Sequence, residues 1–353
     1  IDDPSAHFHT QLYTGNGSSG LQVRNNANAG DFTPDWLWLK PRSLSDNHTI
    51  FDSSRGFDRQ LKTNGTDAED THSPARITRE TNGFDVDSTD QNYNQSSATY
   101  VAWQWKANGG SRTTFTESGS NPGGGYQANT TAGFSIVDYT GTGSAGTVQH
   151  GLGKVPHWIL IKGREHVGGW INYHQQNTTD PKTDILELQS TAAAYDNSTY
   201  WNDTAPTSSV FTVNTSNDTN KDGAGLIAYV FTSIKGFSKM GGYRGNSNAD
   251  GTFVYTGFKP AFMMFKKYSA VDSWGIFDNK RNTNDKGNPR DIYLVPNAQN
   301  SDSSSSVSVD FLSNGFKWRI DSGFRNESGQ NYVYMAFAEN PFVSSEGVPT
   351  TAS

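Results

Sequence analysis

The chain has 353 residues and no cysteine. That excludes a disulfide framework and a thiolate metal site without fixing a compartment. No apolar run approaches the roughly 18 residues of a membrane span, and the start, IDDPSAHFHT, has neither the basic nor the apolar region of a signal peptide. Membrane insertion is therefore not expected. Twenty-eight basic residues face 35 acidic ones, for a net charge of -7. They form no stripe that would neutralise phosphates, so nucleic acid is not an expected partner either. Sustained helical periodicity is also lacking, and only 33% of residues are hydrophobic.

What the sequence does have is aromatic rings, at 12%, and 36 glycines spread among Asn, Asp, Ser and Thr. Large rings can fill cores that aliphatics do not, and frequent turn residues join short strands. The length suggests two or three units, and the expected class is all-β.

A repeat then organises the chain. PDWLWLK from Pro34 returns as PHWILIK from Pro156 and PAFMMFK from Pro260. Proline is tolerated at a strand start, and four consecutive apolar residues indicate a strand covered on both faces. The lysine is expected to end the burial. Interchange of Trp-Leu-Trp-Leu, Trp-Ile-Leu-Ile and Phe-Met-Met-Phe suits a core, which asks mainly for volume and apolarity.

Other elements recur in the same order: YTGNG, YTGTG and YRGNS at Tyr13, Tyr139 and Tyr243, each an aromatic running into a glycine turn. Phe51-Asp52 aligns with Tyr173-His174 and Phe277-Asp278. NGFDVD, SSVFTVN and NGFKWRI read as alternating strands. Each unit closes on TYVAWQW, GLIAYVF or YVYMAFA, where Ala102, Ala228 and Ala336 are aligned, each followed by an aromatic. The expected units are 7–106, 132–235 and 237–343, with a Gly/Ser/Thr-rich linker at 107–131 and a C-terminal tail at 344–353. Short strands with turns between them argue for sheet-on-sheet packing, and the expected fold is three tandem β-sandwiches of jelly-roll or concanavalin A-like type.

The phrases HFHTQLYTGNG, FTPDWLWLK, AGFSIVDYTGTGSAGTVQHGLGKVPHWILIK, GTFVYTGFKPAFMMFKK, DFLSNGFKWRI and YVYMAFAENPF together resemble a tandem-repeat family in structural proteins of marine tailed bacteriophages. The resemblance covers nearly the whole chain. It implies a non-enzymatic tail fibre, tip or decorating subunit on the virion surface. Such a subunit would contact other virion proteins, form a homo-oligomer and contribute to host attachment. A trimer of chains and a pseudo-threefold cluster within one chain are both compatible with three repeats. The family supplies no catalytic motif, and a sandwich does not by itself imply sugar binding.

Candidate sites follow from local chemistry. DTNKDG (Asp218, Asn220, Asp222) opens like a calcium-binding EF-hand loop, but Tyr229 stands where a bidentate Glu belongs. A hairpin turn is the favoured reading and calcium the minority one; no other cofactor is expected. Asp52 with Arg55 and Asp278 with Arg281 share one spacing, the second unit having His174 and Asn177, and a local ion pair or turn explains the recurrence. His150 and His174 have no metal-ligand spacing around them. Tyr195, Tyr200 and Trp201, in a polar segment of the second unit alone, are the candidate glycan-stacking residues. This supports the alternative of a carbohydrate-binding module for a surface polysaccharide. A capsule depolymerase ranks below it: G-x-S-x-G, H-E-x-x-H and P-loop motifs are missing, and Glu80 with Asp85 is no better than chance. Eleven N-x-S/T sequons are expected from an Asn-, Ser- and Thr-rich chain.

Overall fold

The computed structural model describes residues 1–25, 32–282, 287–344 and 346–349. Residues 345 and 350–353 of the expected tail lie outside the described residues. The chain is all-β, 45% strand and 4% helix, in several separate sheets. No helix among the described residues is long and apolar enough to cross a membrane.

Three large antiparallel sheets share one strand order: an opening strand, a closing strand, a core strand and the strand after it. They are Phe8–Thr14, Thr99–Trp105, Trp36–Pro41 and Thr49–Asp52; Phe134–Thr140, Gly225–Phe231, Trp158–Gly163 and Trp170–His174; and Ser238–Arg244, Asn331–Pro341, Phe258–Lys267 and Trp274–Asp278. Each carries smaller strands on one side, with Leu21–Arg24 paired to Gly83–Val86, Gly146–Gln149 to Val210–Val213, and Phe253–Tyr255 to Gly315–Trp318.

Alternation of side chains along a strand explains the four-residue apolar runs. Trp36 and Trp38, Trp158 and Leu160, and Phe262 and Met264 all face a single shared core. Leu37 and Leu39, Ile159 and Ile161, and Met263 and Phe265 face three separate outer cores. The shared core is largely aromatic. Trp105 lies 5.5 Å from Phe337, Phe337 6.0 Å from Phe231, and Phe231 5.7 Å from Trp36, centroid to centroid. All nine tryptophans are buried.

The structure corrects three sequence expectations. First, the motif lysines do not end the burial. Lys40, Lys162 and Lys266 are themselves inaccessible. Each ammonium donates to the carbonyl of the next residue, at 2.7, 2.9 and 2.7 Å. Lys162 also reaches Thr66 O of the first unit, and Lys266 reaches Thr191 O of the second.

Second, one register does not serve all three closing strands. Ala102 pairs with Leu39 and Ala228 with Ile161, the residues just before the lysines, but the residue opposite the corresponding Phe265 is Tyr334. Ala336 sits two places further on. A shift of two keeps every side chain on its face, which is why composition alone did not reveal it. Third, the expected linker is not merely extended: Thr113–Phe115 and Gly124–Asn129 form strands added to the second sheet beside Phe134–Thr140.

Because the sheets share a core, polar side chains from one unit are buried against another. Asp52 accepts from the Arg55 Nε at 2.5 Å and from the Tyr229 hydroxyl of the second unit at 2.7 Å. Asp278 accepts from the Arg281 Nε at 2.6 Å and from the Trp103 indole of the first unit at 3.0 Å. The expected local ion pairs are present, and each is also a clamp between units. Burial would raise the Asp278 pKa, but the Arg281 guanidinium outweighs it and holds the carboxyl below its ordinary value. In the second unit the corresponding residue is His174, and the residue of the third unit matching Trp103 and Tyr229 is Met335. Met335 has no donor to offer, and a neutral imidazole replaces the carboxylate. Burial lowers His174 to about 3.

The ring of contacts is closed by indoles and ion pairs. Trp170 Nε1 donates to Lys62 O at 2.7 Å, and Trp274 Nε1 to Glu187 O at 2.9 Å. His48 stands at the matching position of the first unit, whose contact with the third runs through Thr63 Oγ1 on Pro296 O at 2.9 Å and Arg42 on Asp302 at 2.8 Å. Glu69 is gripped by Arg55 and Arg59 of its own unit and Arg164 of the next.

Two outcomes are expected. Trp36→Ala should cost about 3–5 kcal/mol and lower a single cooperative unfolding transition, read by calorimetry, rather than split off one unit. Burial lowers Lys40, Lys162 and Lys266 from 10.5 to about 8. The unfolded chain therefore holds more protons than the folded one from about pH 8 upward, and stability should rise with pH there. Above about pH 10 the tyrosines act in the opposite direction, since burial raises Tyr13, Tyr139 and Tyr243 when folded. Urea midpoints measured from pH 7.5 to 9.5 should climb; a flat or falling series would contradict the assignment.

Candidate functional site

The residues singled out from sequence do not form a common site. Tyr200 and Trp201 lie on the short helix Ser198–Trp201, capped by Asn197, whose side chain accepts from Thr199 N. This turn drives Trp201 into the outer core of the second unit, 2% exposed and edge-on to Tyr173, with its indole donating to Asp184 O at 3.2 Å. Tyr200 is buried beside it. Neither offers a free face to a sugar, which corrects the stacking assignment for both. Tyr195 is 38% exposed, and its hydroxyl donates to Glu187 at 2.9 Å.

Asp218, Asn220 and Asp222 are likewise separated in role. Asn217–Asn220 is a single helical turn. Asn220 is buried; its carboxamide accepts from Thr142 N and donates to Ser144 O and Asn214 O. Asn94 and Asn326 perform the same closure on Asn16 and Ser18, and on Asn246 and Asn248. One residue earlier in each case, the carbonyls of Tyr93, Thr219 and Arg325 accept from the hydroxyls of Tyr13, Tyr139 and Tyr243. A Cβ on Gly15, Gly141 or Gly245 would sit 2.2–2.3 Å from a backbone oxygen across this turn, so the glycine of each Tyr-x-Gly is required for packing. Asp218 accepts from Gly169 N at 2.9 Å, and Asp222 is exposed. Asn220 and Asp218 thus serve the turn and its neighbours. His150 is buried, with its ring facing Thr207 O and Leu152 N.

The open surface that sequence reasoning missed lies at the junctions. Beside Lys239–Arg244 runs a groove of about 620 Å³ between the third and second units. Gln175 and Gln176 form one wall. Phe253 and Tyr255, 43% and 55% exposed, form another, with the Lys239 ammonium 5.7 Å from the Tyr255 ring. The signal was available: at the matching positions the first unit has Gln22 and Arg24 and the second Thr147 and Gln149, so exposed aromatics on this strand belong to the third unit alone. A second groove, of about 410 Å³, lies between Phe8–Thr10 of the first unit and Asn279, Lys280 and Glu339 of the third.

Trp201→Ala should therefore destabilise the chain by about 3–5 kcal/mol in urea titration, as a core truncation does. A normal midpoint combined with lost binding to cell-surface polysaccharide would restore Trp201 as a contact residue.

No curated protein and no solved structure matches the chain. One family model does, over residues 3–341, and its description is a domain of unknown function, DUF7483. A single match spanning all three large sheets agrees with their shared core, and the chain belongs to the DUF7483 family.

Proposed function

We propose that the chain is a non-enzymatic structural protein of a bacteriophage virion, three tandem β-sandwich units of jelly-roll or concanavalin A-like type, that assembles with its own kind at the particle surface and contributes to host attachment. The observation that carries the structural role is the use of buried polar groups. Asp52, Asp278, Glu69 and the three motif lysines are all held between or beside units, where they fix geometry and present nothing to a substrate. The virion location rests on the resemblance of the repeated phrases to phage structural proteins.

A second reading, glycan contact, is favoured by one feature, the groove edged by Phe253 and Tyr255. Exposed ring faces beside Gln176, Lys239 and Arg244 combine stacking with hydrogen-bonding groups, as recognition of a polysaccharide requires.

Mass spectrometry of purified particles should find the chain at structural copy number, and its absence would remove the virion reading. Phe253→Ala with Tyr255→Ala should reduce adhesion to host cells at least tenfold while leaving the melting curve unchanged; undiminished adhesion would remove the glycan reading. Release of reducing ends from host capsule by the pure chain would show an enzyme instead.

A further inference from the structure

The three unit junctions differ at one matching place. Ile136, Met240 and Thr10 occupy corresponding positions on the opening strands, opposite Tyr229, Met335 and Trp103. The residue that follows the clamp position of the neighbouring unit meets each place differently: Ser53 through Gln127, the partner of Ile136; Gln175 directly on Met240; and Asn279 on the groove that Thr10 also lines. At the first of these junctions the place is filled by the added strand Gly124–Asn129. It sets Gln127 opposite Ile136, and the buried carboxamide accepts from Ser53 Oγ at 3.1 Å and donates to Ser54 Oγ at 2.6 Å. At the second the place is closed by side chains: Gln175 Nε2 donates to Met240 O at 2.8 Å, and Ser233 Oγ accepts from Met240 N at 3.0 Å.

At the third, among the described residues, neither an added strand nor a hydrogen-bonded carboxamide fills it, and the N-terminal turn borders it through Asp3 and Ser5. Thr10 is 4% exposed, and its buried Oγ1 has no hydrogen-bond partner; the buried Oδ1 of Asn279 has none either. Both line the 410 Å³ groove. A buried polar atom without a partner is costly, and these two, among the others in the structure, share one groove at the place where the other two junctions hold a carboxamide.

We propose that this groove receives an extended peptide from a partner polypeptide, lying along Phe8–Thr14 as Gly124–Asn129 lies along Phe134–Thr140. The peptide inserts a glutamine or asparagine side chain between Thr10 and Asn279. The carboxamide nitrogen donates to Asn279 Oδ1, and its oxygen accepts from the Thr10 hydroxyl. Charges of both signs border the place, Lys280 against Asp3 and Glu339, and the two unpartnered atoms are themselves neutral, so a neutral carboxamide matches them. Strand addition with one side-chain anchor is an established mode of peptide recognition. The inference stands apart from the virion reading, since it concerns the groove whatever the source of the peptide.

The probe is a synthetic peptide with the sequence of residues 122–131, PGGGYQANTT, titrated into the full chain by calorimetry. Saturable one-to-one binding is expected. It should weaken at least tenfold in Thr10→Val and in Asn279→Ala, and also when leucine replaces the peptide's glutamine. Thr10→Val deletes an unpartnered hydroxyl at nearly constant shape, so its melting temperature should not fall, which separates lost binding from lost folding. Absence of binding, or binding unchanged in both variants, overturns the proposal. So does saturable binding of a neutral glucose oligosaccharide that is lost in Thr10→Val while the peptide fails to bind; that would make the groove a sugar site.

Discussion

Each large sheet is apolar on both faces, and that constraint governs the rest of the structure. A sheet can cover one face with its own smaller strands, but the other face, carrying Trp36 and Trp38, Trp158 and Leu160, or Phe262 and Met264, must find cover elsewhere. The chain meets this requirement by turning three such faces toward one another. Within this chain the three sheets form one cluster, with an aromatic centre in which rings from different sheets touch.

Sharing a core buries groups that a separate unit would leave in water. A carboxylate there needs donors, and the Asp-x-x-Arg pairs draw one from the neighbouring unit as well as from their own arginine. The exception follows the same rule. Where the neighbour presents Met335, with no donor, the acid gives way to His174, which burial keeps neutral. The motif lysines belong to the same system, since their ammonium groups satisfy strand-end carbonyls, two of them across unit boundaries.

Much of this was legible in the sequence. The repeated apolar runs showed strands covered on both faces, and the ion pairs were recognisable from their spacing. What covered the second face was not legible, because a volume requirement does not say whether the neighbour is a helix, a copy or another part of the chain. Lysine is usually a surface residue, so burial of Lys40, Lys162 and Lys266 could be read only from the carbonyls around them. The two-residue shift at Tyr334 preserved the alternation and so left no trace in composition. Tyr200 and Trp201 misled because an aromatic in a polar segment looks the same whether it points outward or inward. Among the positions where the units differ, Tyr195, Phe253 and Tyr255 are aromatics that do reach solvent.

The central claim is that the three sheets are one cooperative body because they share one core. Native-state hydrogen exchange tests this most directly. Amides of the core strands Trp36–Pro41, Trp158–Gly163 and Phe258–Lys267 should open with the same free energy, equal to that of global unfolding, and with the same denaturant dependence. If one of the three strands exchanges through an opening several kcal/mol cheaper than the others, the units are independent domains and the account fails.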